Sequence, residues 1–451
     1  MNYILATLIL SLPFYGFSCF NIMNRGIQFS WLLSILLIFV YILRINVFKH
    51  KIAFHVNKLN LIMLFYLFLI TVYPITLIFE SSERITSYFT LFCQYFLGII
   101  TAIVISNLPR KFDKIILAFR MWIVSGIIVS SYGIYQGFGL LYGWPFTTLI
   151  LTNPSGSSIQ RFGGGTLKPP FRVPSVFGEP FWYGMYLLPP LFLTVLFLFT
   201  KTDKRFLFPH RGFNYIILFL LFTAFYLSGS LGAYISLILA SFISLFLILK
   251  MKKALLIIKK STIIIFGLML VLIVFSDYFD VNPWKEVFWT TKWLLSGCRG
   301  LTPIYVTGVL HSAPARLHMT LAALSLFTNF NIFQFLLGGG LNYLELHPAT
   351  SPYVKIEIKS VPNGYVQTLI DTGIIGFLMI ISMLLIPLFQ LKRELRKISN
   401  DNIKIIVYGA IMFLVIYGIE IIYRPWDYSF WIMLGIVGAT INCVKSEKRG
   451  I

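Results

Sequence analysis

Five arginines, two carboxylates and one histidine fall where their types and spacing could grip an oxyanion and move a proton: Arg161, Arg172, Arg299, Arg316 and Arg424, with Glu179, Asp371 and His318. A guanidinium presents a planar fork that pairs with phosphate or carboxylate oxygens without any metal. Glu179 precedes Pro180, a residue suited to the first helical turn, so its carboxylate sits at a helix N-terminus where the dipole favours its charged form. Two roles stay open for it, a plain acidic cap or a catalytic or binding group. Arg316 follows Pro314 by two positions and enters the first turn of a helix, where a guanidinium and free backbone N–H groups together suit a pyrophosphate. The alternative is an arginine reaching for lipid headgroups. His311 and His318 have no ligand-like neighbours and read first as hydrogen-bonded surface residues. Asp371 interrupts an apolar run, where an ionisable group is costly and is usually paired or functional; the sequence does not name its partner. Glu420 stands four residues before Arg424, so the two can pair along one helical face, or Arg424 can serve a phosphate instead.

The elements that must position these groups lie in lipid. Of all residues 58% are apolar and 12% charged, where a soluble domain has roughly 25% charged. Apolar runs of about 20 residues can then only be helices, since the bilayer offers no partner for an open backbone. The expected fold class is all-α: a polytopic transmembrane bundle of about 12 spans with two large, partly helical outer loops. The spans fall near 2–20, 30–45, 61–79, 88–106, 115–138, 181–200, 214–229, 231–249, 263–279, 366–390, 403–423 and 430–444. The first reads as a retained span and not as a cleaved leader. Basic residues cluster in alternate connections, as in Arg44 to Lys58, Arg110 to Arg120, Lys201 to Arg211, Lys250 to Lys260, Lys392 to Lys404 and Lys445 to Arg449. That asymmetry puts both termini in the cytoplasm and the two long loops outside. The formal charge of +21 is spread over these short segments, which fits anionic lipid and argues against nucleic acid. Cys19, Cys93, Cys298 and Cys443 suggest neither a disulfide framework nor a metal cluster. No internal repeat stands out.

Five regions follow: 1–138 with the first five spans, 139–180 as the first outer loop, 181–279 with spans six to nine, 280–365 as the second outer loop, and 366–451 with the last three spans. Connections this long are usually functional. The first carries Arg161, Gly163-Gly164-Gly165, Lys168 and Arg172 and ends in Phe177-Gly178-Glu179-Pro180. The second opens on Trp284, Phe288, Trp289 and Trp293, which read as an interfacial helix. It continues through Arg316 to Gly338-Gly339-Gly340 and closes on Val361-Pro362-Asn363-Gly364-Tyr365.

In order and spacing, the stretch 160–380 resembles the O-antigen polymerase and ligase superfamily of bacterial surface-polysaccharide assembly. The matching pieces are Arg172 to Pro180, the Ser228-Gly229-Ser230 break, Arg316 ahead of Gly338-Gly339-Gly340, and Pro362 to Tyr365 followed by Asp371-Thr372-Gly373-Ile374-Ile375-Gly376. Ligases of the superfamily have a His where Pro362 stands, which favours a polymerase. Leu231 replaces an Arg common after the hairpin serine. The resemblance implies an enzyme of the bacterial inner membrane that joins undecaprenyl-pyrophosphate-linked oligosaccharides on the outer face into O-antigen or capsule-like polysaccharide, with no cofactor and no metal. Membrane lipid and a chain-length regulator protein would be its other partners. Arg172, Arg316 and Arg424, with Arg161 and Arg299 as lesser candidates, would hold the departing diphosphate. Glu179, then His318, then Asp371 would take the acceptor proton, and Asn363 and Tyr365 would meet the sugars. Two alternatives remain, an O-antigen ligase of the same superfamily and a transporter of lipid-linked oligosaccharide or polysaccharide. A metal-dependent transferase finds no acid in the 21–29 loop, and Glu80 and Glu83 are its only nearby carboxylates there.

Overall fold

The computed structural model describes residues 1–15, 17–22, 25–46, 57–72, 82–108, 112–147, 149–152, 159–162, 173–199, 211–248, 312–350, 357–358, 361–398, 400–423 and 427–448. Among them the chain is mostly helical. In order come α1 (Asn2–Ser11), α2 (Phe29–Asn46), α3 (Lys58–Val72), α4 (Ser82–Asn107), α5 (Phe112–Tyr142), α6 (Pro180–Phe199), α7 (Arg211–Leu227) and α8 (Leu231–Ile248). Then follow α9 (Ser312–Thr328), α10 (Ile332–Leu337), α11 (Tyr343–Leu346), α12 (Gly364–Leu395), α13 (Asp401–Glu420) and α14 (Tyr428–Lys448).

Seven of the described helices are long and apolar enough to cross a membrane: α2, α4, α5, α6, α12, α13 and α14. They coincide with the expected spans at 30–45, 88–106, 115–138, 181–200, 366–390, 403–423 and 430–444. The expected spans at 2–20, 61–79, 214–229 and 231–249 meet shorter apolar helices, and 263–279 lies outside the described residues. Seven of the expected 12 spans thus meet a helix of crossing length among the described residues. The opening apolar helix is shorter than the expected 2–20. It passes into a short 3-10 turn at Leu12–Phe14, and Ser18–Ile22 (β1) pairs with Arg25–Gln28 (β2). Pro13, which cannot donate a backbone hydrogen bond, sits in that turn.

In the first outer loop α5 continues to Tyr142, and two described strands follow. Leu149–Thr152 (β3) pairs antiparallel with Ile159–Phe162 (β4), so the leucine, isoleucine and threonine there serve a hairpin. The second outer loop does contain helices, α9 to α11, and a two-residue pairing of β5 (Ala349–Thr350) with β6 (Glu357–Ile358). Its aromatic opening, Trp284 to Trp293, lies outside the described residues.

Small residues and amide contacts hold the bundle together, because lipid tails give apolar helices no reason to prefer one another. The most extensive helix pair is α4 against α14. Gly98 of α4 lies beneath the Trp431 ring of α14, and a Cβ at Gly435 would come within 2.9 Å of the Ala102 carbonyl oxygen. At the basic end of the same pair a set of buried amides joins three helices. Asn57 Nδ2 donates to Asn442 Oδ1 (3.2 Å), Asn442 Nδ2 to the Ser106 carbonyl (2.9 Å), and Ser106 Oγ to Asn60 Oδ1 (3.1 Å).

α5 has 31 residues and is therefore roughly 46 Å long at 1.5 Å per residue, more than a hydrocarbon core of about 30 Å. Its last turns carry Tyr132, Tyr135 and Tyr142, which with Trp144 form a chain of ring contacts of the kind found at headgroup level.

Gly98→Leu would force its side chain into the Trp431 ring. A loss of about 1–3 kcal/mol is expected, read as a lower melting temperature of the detergent-solubilised protein; an unchanged melting temperature would contradict this α4–α14 packing.

Candidate functional site

A short strap of chain brings Glu179 to the site. Val173 N donates to the Leu227 carbonyl (3.0 Å), and Ser175, at a left-handed φ of 53°, donates from its backbone N to Gln136 Oε1 (2.8 Å) and from its hydroxyl to the Val129 carbonyl (2.7 Å). A non-glycine residue in that conformation persists only where its surroundings hold it, and Val173, Val176 and Phe177 are buried around it. α6 begins immediately after Glu179, at Pro180, as its sequence implies.

Arg316 arrives from α9. That helix starts at Ser312, so Arg316 sits one turn in and not in the first turn. Its Nη2 lies 3.4 Å from Glu179 Oε2, with side-chain exposures of 28% for the arginine and 51% for the glutamate. The guanidinium carbon stands 4.8 Å from the centroid of the Phe181 ring, a cation–π geometry. Phe181 is itself buried, packed where Gly232 of α8 lacks a Cβ and 5.5 Å from the Tyr423 ring. Tyr423 follows the end of α13. Burial raises its pKa, while a hydrogen bond with Ser236 and the charge of Arg316 act in the opposite direction. Four chain segments thus converge on one arginine, and two of the residues concerned, Phe181 and Tyr423, were not singled out from sequence. In a chain with 17% aromatic residues, a ring at a span end carries little signal of its own.

Asp371 anchors a second polar cluster. α12 is interrupted at Gly373 (φ 63°, ψ −168°), and a Cβ there would collide with the Leu336 carbonyl and Gly338 N. Gly338, at φ 85°, faces the backbone of Asp371 and Thr372 as closely. Gly339 N donates to the Ile370 carbonyl (2.7 Å) and Gly340 N to the Asp371 carbonyl (2.9 Å). The Asp371 carboxylate accepts from Gln367 Nε2 (2.9 Å) and, at a longer 3.4 Å, from Tyr343 N. The partner that sequence left unnamed is therefore a glutamine one turn back and the backbone after Gly338-Gly339-Gly340. Glycine at 338 and 373 is required by φ and by the contact of two backbones.

Asn363 caps α12, its Oδ1 accepting from Tyr365 N (3.0 Å) and Val366 N (3.1 Å), and Tyr365 donates its hydroxyl to the Gly418 carbonyl (2.8 Å). Both side chains expected at the sugars are thus engaged, Asn363 in capping α12 and Tyr365 in joining α12 to α13. Glu420 is buried. Arg172, Arg299 and Arg424 lie outside the described residues, as does the expected Glu420–Arg424 pair. Arg161 is in β4 and His318 in α9, with neither side chain described. The structure brings together Glu179 and Arg316 and, in the second cluster, Asp371 and the glycine triplet. No group of three or more metal-ligating side chains occurs among the described residues.

Gly373→Ala would place a methyl group against the Leu336 carbonyl at a left-handed φ, costing about 1–3 kcal/mol locally. Faster hydrogen exchange at the amides of Gly339 and Gly340, with α13 and α14 unaffected, is the expected result; unchanged protection would mean that the two backbones do not need this contact.

No curated protein matches the chain. The stretch that supplies Arg316, the glycine triplet, Asn363 and Asp371 does match a family: residues 216–381 correspond to the model Wzy_C, described as O-antigen ligase, and they carry that domain in a multi-pass membrane chain consistent with the O-antigen polymerase and ligase superfamily.

Proposed function

We propose that the protein is a polymerase that joins polyprenyl-pyrophosphate-linked oligosaccharide repeat units at the outer face of the bacterial inner membrane. The matched domain supports a glycosyl-transferring membrane enzyme acting on lipid-linked oligosaccharide. Pro362 standing before Asn363 favours polymerisation over ligation, given the histidine that ligases of this superfamily carry there.

The observation that carries the reading is the Arg316–Glu179 contact. At 3.4 Å it is longer than the roughly 2.7–2.9 Å of a well-made charge-assisted hydrogen bond. A diphosphate, with more charge and better-placed oxygens, would outcompete the carboxylate for the guanidinium. Glu179 would then be released beside the bound donor, available to an acceptor hydroxyl. In the step itself the acceptor oxygen bonds to the anomeric carbon of the growing chain, the bond from that carbon to the pyrophosphate oxygen breaks, and the hydroxyl proton passes to Glu179 and on to water. Polyprenyl pyrophosphate leaves with the bonding electrons. Arg316 stabilises the charge that develops on it, and Arg172 and Arg424, with Arg161 and Arg299 less strongly, are further cations for the same task. His318 and Asp371 rank behind Glu179 as bases; Asp371 has a structural task already. Asn363 and Tyr365 would meet the sugars through their backbone or flanking surface, their side-chain groups being engaged. A chain-length regulator would act on the assembled enzyme.

The decisive experiment incubates purified protein with lipid-linked repeat units and a chelator. A ladder of lengthening products is expected; transfer of a single preformed chain to a different lipid acceptor would instead make it the ligase that the family description names, and uptake without new bonds a transporter. Arg316→Ala should lower turnover by about 10²–10³-fold, and Glu179→Gln by about 10²–10⁴-fold, with both proteins still inserted. Normal polymerisation by Glu179→Gln would leave that residue as a cap alone. Wild-type chain lengths from Arg172→Ala and Arg316→Ala would end the leaving-group assignment.

A further inference from the structure

We infer that the basic end of the bundle holds a binding pocket for the phosphodiester headgroup of an anionic membrane lipid. A cavity of about 350 Å³ is lined by Lys58 at the start of α3, Ile386, Phe389, Gln390 and Arg393 near the end of α12, and Lys445 near the end of α14. Its volume falls in the roughly 300–1,000 Å³ range of small-ligand clefts. Three cations from three different helices converge on it, with one amide able both to donate and to accept.

The charged groups identified around the cavity favour an anion. Glu394 Oε1 lies 3.8 Å from Arg393 Nε and offsets one unit. The carbonyl ends of α12 and α14 contribute about half a negative charge each, and the N-terminus of α3 about half a positive one. These groups together sum to roughly +1.5, opposite in sign to the single charge of a phosphodiester. Glu447 is two positions beyond Lys445 and so points to the other face of α14.

The frame of the pocket is fixed before any ligand arrives. Lys58 directly follows Asn57, and Lys445 is one turn beyond Asn442, the two amides that contact each other and bind α3, α4 and α14 together. Apolar surface continues from the pocket along α12: Phe389 is 62% exposed, Leu385 43% and Leu378 55%, at spacings that put them on one face. Cationic head site and apolar rail together fit an amphiphile better than a free ion. Basic pockets between helix ends on the side favoured by positive charge are where anionic headgroups collect.

The test is native mass spectrometry of the full-length protein in mild detergent, offered equal amounts of phosphatidylglycerol and phosphatidylcholine. Wild type should retain phosphatidylglycerol preferentially. Each of Lys58→Gln, Arg393→Gln and Lys445→Gln should weaken retention roughly fivefold, while Arg396→Gln and Lys397→Gln, at the same end but outside the cavity, should not. Phe389→Ala, with every charge intact, should also weaken it. Equal losses in pocket and control variants would reduce the site to diffuse surface attraction and overturn the proposal. So would inorganic phosphate that displaces the lipid completely while depending on the same three cations, since the site would then be one for phosphate alone.

Discussion

A transmembrane helix that stops in mid-span must find other donors for its carbonyls, and in this protein Gly339 and Gly340 supply them to Ile370 and Asp371. Without water, each unsatisfied group at that depth costs several kcal/mol, so the interruption of α12 at Gly373 and the docking of the glycine loop exist only together. The same contact holds the segment from α10 to α11 onto α12, with the Asp371 carboxylate drawn to the backbone N–H of Tyr343. α9 packs on this assembly through Ala322, Ala323 and Phe327, and α9 carries Arg316. The placement of the arginine is thus traceable to two glycines meeting in the membrane.

Around that arginine the arrangement is economical. One face of the guanidinium rests over Phe181 and one nitrogen approaches Glu179, so acid and ring come from either side of Pro180. The strap that precedes them is held by Gln136, Val129 and Leu227. Geometry at Glu179 therefore depends on α5 and α7, although neither presents a charged group there.

Much of this was legible from the chain. Pro180 marks the helix start next to Glu179, Pro314 falls two residues inside α9, which begins at Ser312, and the Ser228-Gly229-Ser230 break separates α7 from α8 with Gly229 at a positive φ of 56°. Three consecutive glycines disfavour continued helix, but nothing marks Gly338-Gly339-Gly340 as the partner of Asp371, because a contact between backbones distant in sequence leaves no mark on side-chain type. The hairpins at 18–28 and 149–162 were hidden for a different reason. In a sequence this apolar, alternation with period two is submerged, and a run of leucines and isoleucines reads as span whether the backbone is coiled or extended. Hydropathy also records what surrounds a segment and not where its last turn ends, so the span expected at 88–106 belongs to a longer helix, Ser82–Asn107.

The amide contact between Asn57 and Asn442 joins residues 385 positions apart. During synthesis the third helix enters lipid with Asn57 Oδ1 capping Asn60 N (2.8 Å) and its amide nitrogen still unmatched, and the matching group emerges only with α14. Until then Asn57 must borrow water from the interface, near which it lies. The arrival of α14 draws the two polar groups into a dry seam, so without that helix the amide of Asn57 would face lipid or interfacial water.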